Sequence, residues 1–183
     1  MIRFLLAATL ALAAPLAAAQ DTAPQPEADL PAKAPMTLAR LDEIIRALDP
    51  EAQTNGRFWQ MTIADVQVMI ITDEAADRMR AISPVRKLEE MSQEDITRVL
   101  QANFDSALDA RYAIAKDVLW SAFIHPLRAL EKEEFISGLG QVVNLAESYG
   151  TLYSGGALQF GGGDSGALQR QLIDELLKKG QEI

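Results

Sequence analysis

The chain has 183 residues, 49% of them hydrophobic and 23% charged, and its 17 Lys and Arg face 26 Asp and Glu for a formal charge of −9. That is enough apolar side chain for a packed core and too much for a mainly disordered chain, while the acidic balance excludes a typical phosphate-backbone binder, which needs a basic face. With no Cys and one His, disulfides, zinc–thiolate centres, Cys nucleophiles and lipid attachment through an N-terminal Cys are excluded, and little remains for metal or acid–base chemistry.

Residues 1–19 read as a secretory signal peptide. Arg3 supplies the basic start, Phe4 to Leu16 the apolar run, and Pro15 breaks any helix before Ala17, Ala18 and Ala19, whose small side chains fit a signal-peptidase site. A membrane anchor needs about 20 apolar residues, so this shorter Ala-rich run is expected to be cleaved, giving a periplasmic product that starts near Gln20. Nothing later in the chain is long and apolar enough for stable membrane insertion. Residues 20–35 form a Pro-rich linker with Pro24, Pro26, Pro31 and Pro35, extended because proline fixes φ and removes donors.

The folded α+β domain is expected over 36–154. Thr37 caps a helix whose face is Leu38, Leu41, Ile44, Ile45 and Leu48, stopped by Pro50 and the Asn55–Gly56 pair. Trp59, Met61 and Ile63 alternate with polar or small residues, as do Val66, Val68 and Ile70, with Ala64–Asp65 as the turn between two strands. A third strand runs from Met79 to Val85, with Pro84 as its break. Ser92 and Asp95 have capping-box spacing before a helix carrying Ile96, Val99, Leu100, Asn103 and Phe104. Tyr112 and Ile114, then Val118 to Ile124, make a second hairpin about Lys116–Asp117, and a last helix carries Phe135, Leu139, Val142, Val143, Ala146 and Tyr149. The order α-β-β-β-α-β-β-α implies an antiparallel sheet with helices packed on it.

Glycines crowd residues 155–163 as a second linker, and Leu168, Leu172, Ile173, Leu176 and Leu177 recur at helical spacing in a tail over 164–183. A helix this short is marginal alone, so its stripe must be buried, and the flexible connection suggests docking on a second copy or a partner more than on its own domain.

Several features have chemical resonance. Gly163-Asp164-Ser165-Gly166 spells a serine-protease phrase, yet only His125 could serve as base, so a hydrolase is a poor fit and the phrase reads as linker and helix cap. His125, ahead of Pro126, reads as a structural imidazole. Asp73, Glu74 and Asp77 lack the alternating donors of a calcium loop and read as a solvated turn. Glu131, Glu133 and Glu134 suit the positive end of the last helix. Arg78, Arg80, Arg86 and Lys87 form a basic cluster, a solvated strand face or a dock for an acidic partner. No catalytic residue, metal site or cofactor is expected. Trp59, Met61, Trp120 and Phe123 on the strands, with Leu172 and Leu176 on the tail, are the candidate partner-binding residues, because a sheet with helices on one face leaves the other to find a partner. An apolar small molecule or lipid held between helices and sheet is the alternative.

Trp59-Gln60 in the first strand, Ser92-Gln93-Glu94-Asp95 at a helix start, Asn103-Phe104 at its end, Pro126-Leu127 after the second hairpin and Phe135 with Gln141-Val142-Val143 in the last helix together resemble the YbjN family over roughly 37–153. The resemblance implies a type III secretion chaperone-like fold and a non-enzymatic domain that pairs with itself or holds a protein segment. It carries over no catalytic residue.

Overall fold

The computed structural model describes residues 34–105, 107–149 and 167–181. The expected signal peptide at 1–19, the Pro-rich linker up to residue 33, the glycine linker at 155–163 and the Gly163–Gly166 phrase lie outside the described residues. The elements are α1 (Leu38–Leu48), β1 (Gln53–Thr54), β2 (Phe58–Ile63), β3 (Val66–Asp73), β4 (Arg78–Lys87), a 3-10 turn (Leu88–Glu90), α2 (Gln93–Asp105), β5 (Arg111–Ala115), β6 (Val118–His125), α3 (Lys132–Glu147) and α4 (Ala167–Gly180). The strands form one antiparallel sheet in the order β1-β2-β3-β4-β6-β5. The fold is α+β with helices laid on one side of the sheet.

Local chemistry sets the boundaries. The Thr37 side chain accepts from the Arg40 N–H at 3.2 Å to start α1. Ser92 and Asp95 cap each other's backbone at the start of α2, the Asp95 N–H reaching Ser92 Oγ at 3.1 Å and the Ser92 N–H reaching Asp95 Oδ2 at 2.9 Å. Glu131 and Glu134 make the same reciprocal box at α3. The β2–β3 and β5–β6 hairpins each turn on two left-handed residues, Ala64 and Asp65 (φ 48° and 64°) and Lys116 and Asp117 (φ 51° and 58°). This twist matches that of the strands and needs φ > 0 at both positions.

The sheet departs from expectation at two places. Gln53–Thr54 add a short outer strand, with the Asn55 amide oxygen accepting from the Phe58 N–H at 3.1 Å across the turn, so Asn55–Gly56 shape a hairpin after α1 has ended at Asp49. Pro84 does not end its strand. Pairing of β4 with β3 stops at Ile82, while pairing with β6 runs on through Pro84 opposite Trp120 and shifts register between Pro84 and Arg86. A proline on a stretch paired from one side only, beside a bulge, costs no central ladder bond.

The core lies between sheet and helices. Trp59, Met61, Val68, Ile70, Met79, Ala81, Leu119 and Phe123 meet Leu41, Ile44 and Ile45 of α1 and Phe135, Leu139, Val142 and Val143 of α3. Sheet hydroxyls tie down α3: Tyr112 Oη donates to the Leu145 carbonyl at 2.6 Å and Ser121 Oγ to the Val142 carbonyl at 2.8 Å. Side chains from helices also meet the sheet's outer strands. Asn103 of α2 takes both backbone groups of Tyr112, accepting from its N–H at 2.6 Å and donating to its carbonyl at 3.0 Å. Asp49 Oδ2 accepts the Thr62 N–H at 2.9 Å.

Trp59 pins α1 to the sheet, its indole N–H donating to Asp42 Oδ1 at 2.8 Å. That bond holds the Asp42 carboxyl below the ordinary carboxylate range, with burial pushing the other way and Arg46 adding to the lowering. A folded pKa below the unfolded one gives stability that is fully present above the unfolded value and is lost as pH falls through the folded value. Asp42→Asn is therefore expected to cost most at neutral pH, with the gap to the parent narrowing below about pH 4, as urea unfolding at several pH values will read.

The tail helix belongs to the same compact unit, which begins at Ala34 and takes in α4, so the folded part extends past the expected end at 154. In place of docking on another molecule, α4 packs on α3 and α1 of its own chain, burying Ile173 and Leu176. Glycines allow the approach. A Cβ on Gly140 would lie 2.7 Å from Ile173 Cγ1, one on Gly180 would collide with Ile136, and Lys132 Nζ donates to the Gly180 carbonyl at 2.9 Å.

Candidate functional site

A strand's side chains alternate between faces, and the register shows which residues the helices do not cover. One row across the open face is Phe58, Ile71, Arg80 and Ile124; the next is Gln60, Met69, Ile82, Ala122 and Arg111; a third includes Trp120 and Pro84. Ile124 is 63% exposed and Ile71 37%. The face is thus a continuous apolar field over β3, β4 and β6, with Arg80 set between Ile71 and Ile124. On the other side, every position from Trp59 through Phe123 that faces α1 and α3 is core.

The expected binding residues therefore do not form one surface. Trp59 and Met61 are 1% and 2% exposed beneath the helices and are corrected to core positions. Trp120 and Phe123 are three residues apart on β6 and so lie on opposite faces. Phe123 is buried against α3, where a Cβ on Gly138 would come within 2.6 Å of its ring. Trp120 is half-buried on the open face, its indole N–H donating to the Ala115 carbonyl at 2.9 Å. On α4, Leu176 is buried and Leu172 partly so. Ile71, Ile82 and Ile124 were missed, although counting in twos from Trp120 reaches Ile124.

A second apolar patch lies at the sheet's other flank. Leu100 and Phe104 stand one turn apart on α2 and are 62% and 71% exposed, and Ile114 on the neighbouring β5 is exposed as well. Both have helical neighbours that are buried, Val99 and Ala102, so α2 grips the domain by one stripe and presents another outward.

The cationic and acidic clusters resolve into separate structural uses. Arg86 pairs with Glu90 at 3.3 Å and lies over the Tyr149 ring, and Lys87 pairs with Glu89 at 3.5 Å. Asp73 Oδ1 accepts the Ala76 N–H and Asp77 Oδ1 the Arg128 N–H, so both carboxylates serve the β3–β4 turn and its neighbour. His125 lies beside a cleft of about 590 Å³ that also touches Asp109, Glu134 and Ser137. Its Nδ1 is 2.8 Å from the Pro126 carbonyl, which the ring donates to, and Nε2 is 3.9 Å from Glu134. One ring nitrogen is thus spent on backbone. Replacing His125 by Gln is expected to leave thermal unfolding within about 1 kcal/mol of the parent, the ordinary worth of one hydrogen bond at a part-exposed site, and to leave partner binding unchanged.

No family model matches the chain, and no curated protein matches it in sequence. Among solved structures it is similar to a chain in the complex of the Yersinia pestis type III secretion chaperone SycH with a stable fragment of YscM2, at 19% identity over 58% of this chain and 97% of that one, with a TM-score of 0.45. It is also similar to a chain of the ExsC–ExsE complex, at 11% identity over 61% of this chain and 92% of that one (TM-score 0.48), and to a chain of the HopA1–SchA chaperone–effector complex, at 11% identity over 63% and 98% (TM-score 0.47).

Proposed function

We propose that this is an exported, non-catalytic domain of YbjN-like type that holds a segment of another protein against the open face of its sheet. One observation carries the reading: a sheet face that none of the described helices covers, on which Ile71, Ile124, Met69, Ile82 and Trp120 are grouped and in part exposed. An apolar field of this kind, rimmed by polar side chains, is what an interaction surface offers, whereas scattered exposed apolar residues are ordinary. The export half of the reading rests on Arg3, the apolar run and the Ala17-Ala18-Ala19 site. The YbjN-like half rests on the phrases from Trp59-Gln60 to Gln141-Val142-Val143. Pairing with a second copy is assigned to Leu100 and Phe104 of α2, which are exposed on a different flank and leave the sheet face free.

A photo-crosslinking residue at Ile124 in the full chain, expressed in the native host, tests the binding face. Protein adducts are expected from Ile124 and not from the same residue at Arg40, on the exposed side of α1; equal labelling from both would remove the sheet face from the proposal. Intact mass of the protein recovered from the periplasm is expected to start at or near Gln20. A membrane-retained product starting at Met1 would remove export.

A further inference from the structure

We propose that the open face selects an acidic amphipathic helix, a carboxylate of which pairs with Arg80 while its apolar stripe covers Ile71, Ile82 and Ile124. This rests on the reading above that the face binds a protein segment, and it adds the chemistry of that segment. Arg80 stands in the middle of the first apolar row, opposite Ile71 on one side and Ile124 on the other. The other members of the basic cluster are engaged, Arg86 with Glu90 and Lys87 with Glu89. Arg111, at the end of the second row, turns its guanidinium to the carbonyls of Leu108 and Ala110. Arg78 donates to the carbonyl of Asp77 and faces Asp73 across the ladder. Among the described residues Arg80 has no ion-pair partner. In a chain with a formal charge of −9, an unpaired arginine amid exposed isoleucines is the part of this face that most restricts its occupant.

The restriction follows from desolvation. Whatever covers Ile71 and Ile124 also takes Arg80 out of water, and a buried guanidinium without a counter-charge is strongly disfavoured. A wholly apolar occupant leaves that cost in place. A second copy stacking the same face would bring Arg80 toward its own like charge. A segment with a carboxylate beside its apolar stripe converts the cost into a charge-assisted hydrogen bond, bidentate if the fork is met squarely. A bilayer with anionic headgroups could also meet Arg80, but the chain's net negative charge opposes approach to such a surface. The occupant is taken as a helix because helices, α1 and α3, are what cover the sheet's other face.

The test uses the full chain and two synthetic helical peptides with one Leu stripe, flanked by Glu in the first and by Lys in the second. Of the two Trp, Trp120 is on the face and Trp59 is in the core, so a change in emission that disappears in Trp120→Phe reports the site. The Glu peptide is expected to bind and the Lys peptide to bind at least about tenfold more weakly. Arg80→Glu is expected to reverse that preference, Ile124→Ser to weaken both peptides, and Arg40→Glu to change neither. Should Arg80→Glu fail to fold, Arg80→Gln is expected to remove the preference without reversing it. Equal binding of both peptides to the parent would overturn the acidic selectivity and leave the protein-binding face intact. A Trp120 response only to phosphatidylglycerol vesicles would overturn the proposal in favour of a membrane surface. Self-association lost in Ile124→Asp would overturn it in favour of a second copy. No response of Trp120 to any probe would overturn the binding face itself.

Discussion

Ending the chain after Gly163 is expected to lower the midpoint of thermal unfolding by roughly 10–20 °C. The truncation removes Ile173 and Leu176, 1% and 5% exposed, and uncovers Ile136 and Gly140 on α3. Each large aliphatic side chain buried in this way contributes about 1.5–3 kcal/mol, and each kcal/mol moves the midpoint by roughly 2–4 °C for a chain of this size. Ile173→Ala in the intact chain is expected to cost about 2–5 kcal/mol, which isolates packing from the removal of the linker. Calorimetry of both variants, with sedimentation to follow association, distinguishes the alternatives. A truncated protein that melts with the parent but no longer self-associates would mean that α4 docks between molecules.

Gln141→Leu is expected to destabilise by about 2–4 kcal/mol, because it leaves the buried Ala110 N–H without an acceptor, at about 1–3 kcal/mol, and removes the part-buried bond from the Asp109 N–H, worth about 1 kcal/mol. Gln141 is 2% exposed, and its Oε1 accepts the N–H of Asp109 at 2.8 Å and of the buried Ala110 at 3.0 Å. Its Nε2 donates to Asp109 Oδ2 at 3.2 Å and to Ser137 Oγ at 3.3 Å. One side chain on α3 thus fixes the loop that leads from α2 into β5. Hydrogen exchange will localise the effect: amide protection at Asp109 and Ala110 should fall before protection in β2 and β3 does. Uniform loss across the sheet would show that Gln141 supports the whole core and has no special hold on the loop.

Local rules recovered most of the architecture. The Thr37 cap, the Ser92–Asp95 box, both two-residue hairpin turns and the period-two strands are visible in the sequence because each depends on neighbours a few positions away. Trp59 and Trp120 show the limit. Both are large side chains on strands, and only the cross-strand register, together with the side on which α1 and α3 land, separates a core residue from one on the open face. The bulge at Pro84 and the short strand at Gln53–Thr54 depend likewise on where β3 and β2 end in space. The docking of α4 was hidden for a different reason. Nothing in the sequence marks Gly140, and its use as a seat for Ile173 needs the packed pair to be seen. Arg80 was legible as part of a basic cluster, but the pairing of Arg86 and Lys87 with acidic neighbours, which singles it out, was not.

The amide of Asn103 on Tyr112 and the carboxylate of Asp49 on Thr62 have a consequence for assembly. A sheet whose outer strands offer free backbone groups can recruit strand after strand, and growth of that kind has no natural stopping size. Here side chains already satisfy backbone groups on both outermost long strands, while the apolar field faces sideways out of the sheet plane. Contacts made through that field saturate once it is covered. A domain with such an apolar surface can therefore form complexes of fixed stoichiometry at concentrations where an open-edged sheet of the same composition would polymerise into ribbons.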